Sequence, residues 1–282
     1  MILSDNHVHT DFSSDSEAPL ERVLSQASRS GLRSICITDH MDYDFPDLGN
    51  GMTFVFEPEP YLTALAKARG RYPDLEIRQG VELGLKESAL PQAISLVENY
   101  PFDFVIGSTH LVDNQDPYFE TFWAGYEEPD GIRRYYESIL ENLSLDFDFD
   151  VYGHLDYILR YTPTMRKLGD ETCAKEHYLE ECTNRYMDVI EEILRVLISQ
   201  GRGIEINTAG WKYGLGHPHP HEKILTLYRE LSGEIISVGS DAHQAEHLGY
   251  SFEQVPTLLL QCGFRYYTEF CNRKPRMIPL ER

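Results

Sequence analysis

The chain has 282 residues, 41% hydrophobic and 25% charged, a composition that suits a globular protein with a large core and gives no sign of a fibre or a disordered segment. Its formal net charge of −21, from 25 Lys and Arg against 46 Asp and Glu, argues against nucleic acid as the main partner, because backbone binding needs clustered positive charge. No window approaches the roughly 18 apolar residues that span a membrane.

The start, MILSDNHVHT, lacks the basic and apolar regions of a signal peptide. Five cysteines without a CxxC pair read as reduced thiols, so the expected setting is cytoplasmic. In chain order, short apolar runs recur over residues 2–9, 34–40, 76–82, 102–110, 148–154, 203–207 and 235–243, most of them ending in a residue type that ligates metal. Runs such as SICIT, FVIGS and EIISVGS are β-branched and apolar throughout, as strands buried on both faces should be. Between them lie amphipathic patterns over 19–30, 59–72, 90–100 and 176–200, the last ending at Gly201 as a helix should. This alternation predicts parallel strands joined by crossover helices. Seven strands predict one closed or nearly closed α/β barrel, with residues 1–282 as a single domain.

The chemistry concentrates at the predicted strand ends. His7 and His9, two apart, project from one face while Val8 faces the opposite layer. ICITDH ends in His40, RQGVE in Glu82, VIGSTH in His110 and VYGH in His154, and ISVGSDAH supplies Asp241 and His243. Six of the eleven histidines thus fall at strand ends with two acids, and in a parallel barrel those ends share the rim where active sites are built. Imidazole and carboxylate converging there without a cation would be costly. Imidazole with carboxylate, and no thiolate set, suits Zn, Fe or Mn better than Mg or Ca. Eight or nine ligands exceed one tetrahedral ion, so two or three divalent ions are implied, with Glu82 bridging a pair. His177 and His247 fall in helix or loop. His217, His219 and His221 read as a Pro-stiffened surface loop of structural or incidental role, which its place after Asn207 would let border the site.

In this order the motifs HVHTDFSSDS at 7–16, ITDH at 37–40, GVE at 80–82, STH at 108–110, GHLD at 153–156 and SDAH at 240–243 resemble the PHP family, named for polymerase and histidinol phosphatase. GHLDYILRY at 153–161, EINTAG at 205–210 and CNRKPRMIPL at 271–280 look like its histidinol-phosphatase branch. The resemblance implies a distorted seven-stranded (β/α)7 barrel with the metal site at the C-terminal ends of the strands. By position it implies that His7, His9, Glu82 and Asp241 hold one ion, and that Glu82, His110 and His154 hold a second. His40 and His243 would hold a third with Asp15, where the commonest family pattern has His; this departure leaves the third site open. The implied enzyme is a metal-dependent phosphomonoesterase in histidine biosynthesis, converting L-histidinol phosphate and water to L-histidinol and phosphate by hydroxide attack on phosphorus.

Arg160, six residues after His154, is the candidate for holding a phosphate oxygen. The loop after His40 is rich in acids and aromatics, and Asp42 is the choice there for the substrate amine or the leaving-group proton. Tyr43 and Tyr161 are the neighbouring substrate contacts. The competing readings are another phosphoesterase of the family, acting on nucleotides or phosphotyrosine, an amidohydrolase, and a metal-binding regulator without turnover. Amidohydrolase chemistry commonly uses a carbamylated Lys, and no Lys stands at a strand end. Native metal, oligomeric state and general acid are left open.

Overall fold

The structure is a computed structural model that describes residues 1–280. The apolar runs form eight parallel segments: β1 (Ser4–Asp5), β2 (Ser34–Ile37), β3 (His40–Met41), β4 (Glu76–Gly84), β5 (Phe104–Ser108), β6 (Val151–Tyr152), β7 (Gly203–Asn207) and β8 (Ile236–Gly239). Their order is β1-β2-β4-β5-β6-β7-β8, with β3 also against β4. Ile37 pairs with Gln79 and His40 with Glu82, so β3 continues the register of β2 and the two make one interrupted strand. Seven strands result, one for each predicted run.

The sheet nearly closes on itself. Beyond β1, Asn6 donates its backbone N–H (3.1 Å) and its side-chain amide (2.9 Å) to Val238 O. His9 N donates to Ala242 O at 3.0 Å and Asp241 N to His7 O at 2.9 Å. The barrel seam therefore runs between the first strand and the segment after β8.

Helices cover the outside because each carries an apolar stripe that only the sheet can bury. Leu20–Ser30 buries Leu20, Val23, Leu24 and Ala27, spaced by three and one, and stops at Gly31, whose φ of 80° few other residues adopt cheaply. Pro58–Arg71, Leu90–Asn99, Glu128–Leu143 and Glu222–Glu230 serve likewise. The helix expected over 176–200 is instead two, Thr172–Arg185 and Met187–Ser199, meeting at Tyr186. Tyr186 is buried and its hydroxyl donates to Pro129 O at 2.9 Å, a distant anchor that periodicity does not reveal. Among the described residues, no helix is long and apolar enough to cross a membrane.

Two further strands, β9 (Tyr266–Cys271) and β10 (Lys274–Pro279), form an antiparallel hairpin, with Asn272 and Arg273 both at positive φ in its two-residue turn. This hairpin plugs the N-terminal mouth of the barrel. Phe270 stacks on Phe104 at 4.9 Å within a small cluster that includes Cys36, Ile106 and Val151. The opposite mouth is left to the polar residues at the strand ends.

Candidate metal centre

Backbone geometry brings the strand-end residues together. Val8 bridges to Ala242 and donates N–H to Thr38 Oγ1 at 2.9 Å, which turns the flanking His7 and His9 inward. Room for them comes from missing side chains. A Cβ on Gly239 would collide with His7 Cβ, and one on Gly84 would collide with the Asp42 carboxylate. His154 and Asp241 sit at φ of 23° and 52°, conformations that cost non-glycine residues about 1–3 kcal/mol and cluster at functional sites.

The donor atoms then fall into three groups around one carboxylate. His7 Nε2 and His9 Nε2 lie 3.1 Å apart, and Glu82 Oε2 is 3.2 Å from the first and 3.4 Å from the second. Asp241 Oδ1 completes this set, 3.4 Å from His9 Nε2 and 3.8 Å from His7 Nε2. Ligands at about 2.0–2.2 Å from a tetrahedral ion stand about 3.3–3.6 Å from one another, and the contacts here, from 3.1 to 3.8 Å, scatter about that spacing, with His7, His9 and Glu82 the compact core of the group. The other oxygen, Glu82 Oε1, is 3.2 Å from His110 Nε2 and 2.8 Å from His154 Nε2. In the third group, Asp15 Oδ2 is 3.4 Å from His40 Nε2 and 3.2 Å from His243 Nε2. Glu82 thus offers one oxygen to each of the first two groups, as a bridging carboxylate would.

An outer layer fixes the ring orientations. His7 Nδ1 pairs with Glu205 Oε1 at 2.7 Å, and Glu205 Oε2 accepts His154 N at 3.2 Å. Asn207 Nδ2 donates to Asp241 Oδ2 at 3.2 Å. His110 Nδ1 pairs with Asp42 Oδ1 at 2.6 Å, which aims Nε2 at Glu82. His9 Nδ1 meets Ser13 Oγ at 3.2 Å, and that hydroxyl donates to Asp39 Oδ1 at 2.7 Å. Such partners set the tautomer and basicity of imidazoles that bind metal.

The electrostatics ask for a cation. Glu82 Oε2, Asp241 Oδ1 and His40 Nδ1 are buried without a hydrogen-bond partner. Burial opposes ionisation of Glu82, yet the charges of His7, His110 and His40 hold its carboxyl well below the usual range. Asp241 is likewise held down against burial, chiefly by His7. Burial, then the charges of His243 and His40, push His9 down to about 3, so its ring stays neutral with a free lone pair. Neutral imidazoles and ionised carboxylates are the states that ligate metal, and a bound ion would take the place of the protons that otherwise balance the acids. The residues present fit a multinuclear metal centre.

Over these donors opens a cavity of about 570 Å³, within the range of small-molecule sites. Arg160 and Tyr161 line it, with the Arg160 guanidinium 3.0 Å from the Tyr213 ring centroid and 4.9 Å from that of Tyr161. Tyr43 is not among the lining residues. Asp42 turns in to His110, so its neighbour in the chain turns out and packs against the core. Asp42 itself is 5% exposed, with Oδ1 taken by His110 and Oδ2 3.4 Å from His40 Nδ1, so it orients imidazoles rather than standing free for an amine.

The expected surface loop at 217–221 is also corrected, for all three of its histidines are buried. His219 exchanges both backbone hydrogen bonds with Asn207, at 2.7 and 2.8 Å. Asp156 accepts from His219 Nδ1 at 2.5 Å and from His221 N at 2.8 Å. These contacts draw the loop under the rim. Sequence reading missed Glu205; the available signal was Glu205 and Asn207 two apart on β7, facing inward together.

A parallel barrel whose C-terminal rim gathers six histidines with carboxylates has the makings of a metal-dependent hydrolase. The PHP domain family matches residues 5–209, and the chain belongs to the PHP family. It is similar to a protein of Clostridium acetobutylicum described as "Probable histidinol-phosphatase", 30% identical over 94% of this chain and 95% of that one. The histidinol-phosphatase of Lactococcus lactis is 28% identical over 96% of this chain and 95% of its own. A crystal structure of a histidinol phosphate phosphatase from Lactococcus lactis, complexed with Zn, L-histidinol and phosphate, superposes with a TM-score of 0.84 at 26% identity. That match covers 98% of this chain and 99% of the other.

Proposed function

We propose that this protein is a phosphoric monoester hydrolase that converts L-histidinol phosphate and water to L-histidinol and phosphate, in the cytoplasmic biosynthesis of histidine. One observation carries the reading: Glu82 directs one oxygen to the His7, His9 and Asp241 set and the other to His110 and His154, beneath a cavity that holds an arginine. The similarity to histidinol-phosphatases over nearly the whole chain supports the same substrate.

His7, His9, Glu82 and Asp241 would hold one ion, Glu82, His110 and His154 a second, and Asp15, His40 and His243 a third. Ions of the Zn, Fe or Mn kind, when bound there, supply Lewis acidity toward phosphate oxygens and water acidic enough to attack phosphorus near neutral pH. The chain's own residues do the rest. Glu82 fixes the separation of the two principal sets. Glu205, Asn207 and Asp42 hold His7, Asp241 and His110 in the ligating orientation. Arg160, braced on Tyr213, presents N–H donors to a phosphate oxygen across the cavity. The aromatic walls keep water away from the reacting centre, which strengthens each of these interactions. All of this is work for one barrel domain over residues 1–282.

The test is steady-state phosphate release from L-histidinol phosphate after metal is stripped and Mn, Fe or Zn restored, beside p-nitrophenyl phosphate and a nucleoside monophosphate. A kcat/KM of about 10⁴ M⁻¹s⁻¹ or more on histidinol phosphate, far above the others and abolished by chelation, is expected. Equal, feeble rates on all three would sink the substrate and leave a less selective phosphoesterase.

A further inference from the structure

The barrel wall has a gap at the rim between β6 and β7. β6 is two residues long and pairs with Gly203 and Ile204, so the last three residues of β7 run past its end. Beyond Tyr152 the chain leaves the ladder: His154, at φ 23°, donates its N–H to the Glu205 side chain rather than to a strand. Alternate residues of a strand turn their backbone N–H and C=O to the same neighbour. Gly203 N donates toward β6, to Asp150 O at 2.9 Å, so Asn207, four residues on, opens its own pair on the gap.

His219 fills that gap. It exchanges both backbone hydrogen bonds with Asn207, at 2.7 and 2.8 Å, in the place that a longer β6 would take. Asp156, on the continuation of β6 itself, holds it there. Asp156 is fully buried, and its two oxygens accept from His219 Nδ1 at 2.5 Å and from His221 N at 2.8 Å. His219 Nε2 is buried without a partner, so the ring is anchored through Nδ1. On the inner side of β7, Asn207 Nδ2 donates to Asp241 Oδ2 at 3.2 Å, and Thr208 N donates to Gly239 O at 2.9 Å. Asp241 Oδ1 has no hydrogen-bond partner and faces the histidines, so the bond from Asn207 to the other oxygen orients it.

We propose that His219 and Asp156 are positioning residues for the first donor group. By splicing the wall beside β7 they keep Asn207 against Asp241, and so set the affinity for the ion that His7, His9, Glu82 and Asp241 would share. This rests on the metal reading above. Asp156 stands two residues from His154, a donor of the second group, yet its influence passes through Asn207 to the first. A brace that served stability alone would weaken every group or none.

His219→Leu removes the N–H that reaches Asp156, and His219→Asn returns an amide N–H close to the place of Nδ1. Asn207→Ala keeps the backbone bridge to His219 and removes the link to Asp241. The metal-stripped parent and variants are titrated with Zn against a competing chelator, and their melts are recorded without metal. The expected result for His219→Leu is one binding step weakened about tenfold or more, with the other steps within about twofold of the parent. His219→Asn should bring that step back to within about threefold. In the Asn207→Ala background His219→Leu should weaken it no further, because the path to Asp241 is already cut. If His219→Leu does not fold, His221→Pro takes its place in the same cycle: it removes the other donor to Asp156 at a residue whose φ of −53° suits proline. Equal weakening of every step, losses that add in the double variant, no recovery in His219→Asn, or a lower melting point with binding unchanged overturns the positioning role and leaves the metal centre standing. A parent protein that binds no ion overturns both.

Discussion

The two mouths of the barrel treat buried charge in opposite ways. At the N-terminal mouth Arg78 is 2% exposed, and the hairpin and strand starts satisfy most of it: Ser4 Oγ at 2.5 Å, Ser34 Oγ at 2.6 Å, Phe270 O at 3.0 Å and Glu269 Oε2 at 3.4 Å. Its Nε alone lacks a hydrogen bond and faces Glu76 Oε1 at 3.9 Å. At the C-terminal mouth Glu82 is 1% exposed among histidines, and its Oε2, with Asp241 Oδ1, Asp42 Oδ2 and His40 Nδ1, lacks hydrogen-bond partners. One end is finished within the chain and the other is left for a ligand. Partnered charge at one end serves stability, and unpartnered charge at the other is what function leaves behind.

The largest expected effect comes from removing that unpartnered charge. Glu82→Gln should lower kcat/KM on phosphate esters by about 10³-fold or more, since an amide cannot serve both donor sets. Metal bound per chain should fall with it, while the metal-stripped protein should melt no lower than the stripped parent. Metal analysis and thermal melts check both, and a variant that keeps its metal and its rate would remove Glu82 from the centre. Next in size, Arg78→Met should cost about 3–5 kcal/mol in urea unfolding, because it strands Glu269 and the plug's acceptors. The folded fraction should keep the parent KM and metal content. Loss of activity in step with stability would mean that the two mouths are not separable. The smallest effect is expected for Glu205→Gln, which loosens His7 without removing a donor. Metal affinity should drop about 10–100-fold, with kcat near the parent value once metal is saturating. Titration of stripped protein with Zn or Mn reads this, and unchanged affinity would make Glu205 mere filling.

Much of this was legible in the chain because the signals are local. Each of the seven apolar runs is short enough to be a strand, and each donor among His7, His9, His40, Glu82, His110, His154, Asp241 and His243 lies in a strand or within four residues of the end of one. The outer partners were hidden because they pair across the fold: His7 with Glu205 over 198 positions, and His110 with Asp42 over 68. Nothing local marks either carboxylate as an orienting group, and for that reason the sequence alone points Asp42 at the substrate amine or the leaving-group proton. The 217–221 loop misled because prolines and histidines are common on surfaces, whereas a backbone bridge to Asn207 holds this one inside. The plug at β9 and β10 was likewise silent, since alternation in YYTEFC tells of a strand but not of which opening it covers.

The seam between the first strand and the segment after β8 has a consequence for how the molecule comes into being. His7 and Asp241 meet across it, so the first donor group draws on residues 234 positions apart and exists only once the ring has closed. Joining ends so distant carries a loop-closure entropy that grows only slowly with length, but it must be met before any contact rewards it. An ion that binds the closed ring and not the open chain pulls that last step forward by mass action. Binding of an ion at this group and completion of the barrel would then be coupled. A chain still emerging from the ribosome, with Asp241 not yet joined to His7, would lack this group's full set of donors.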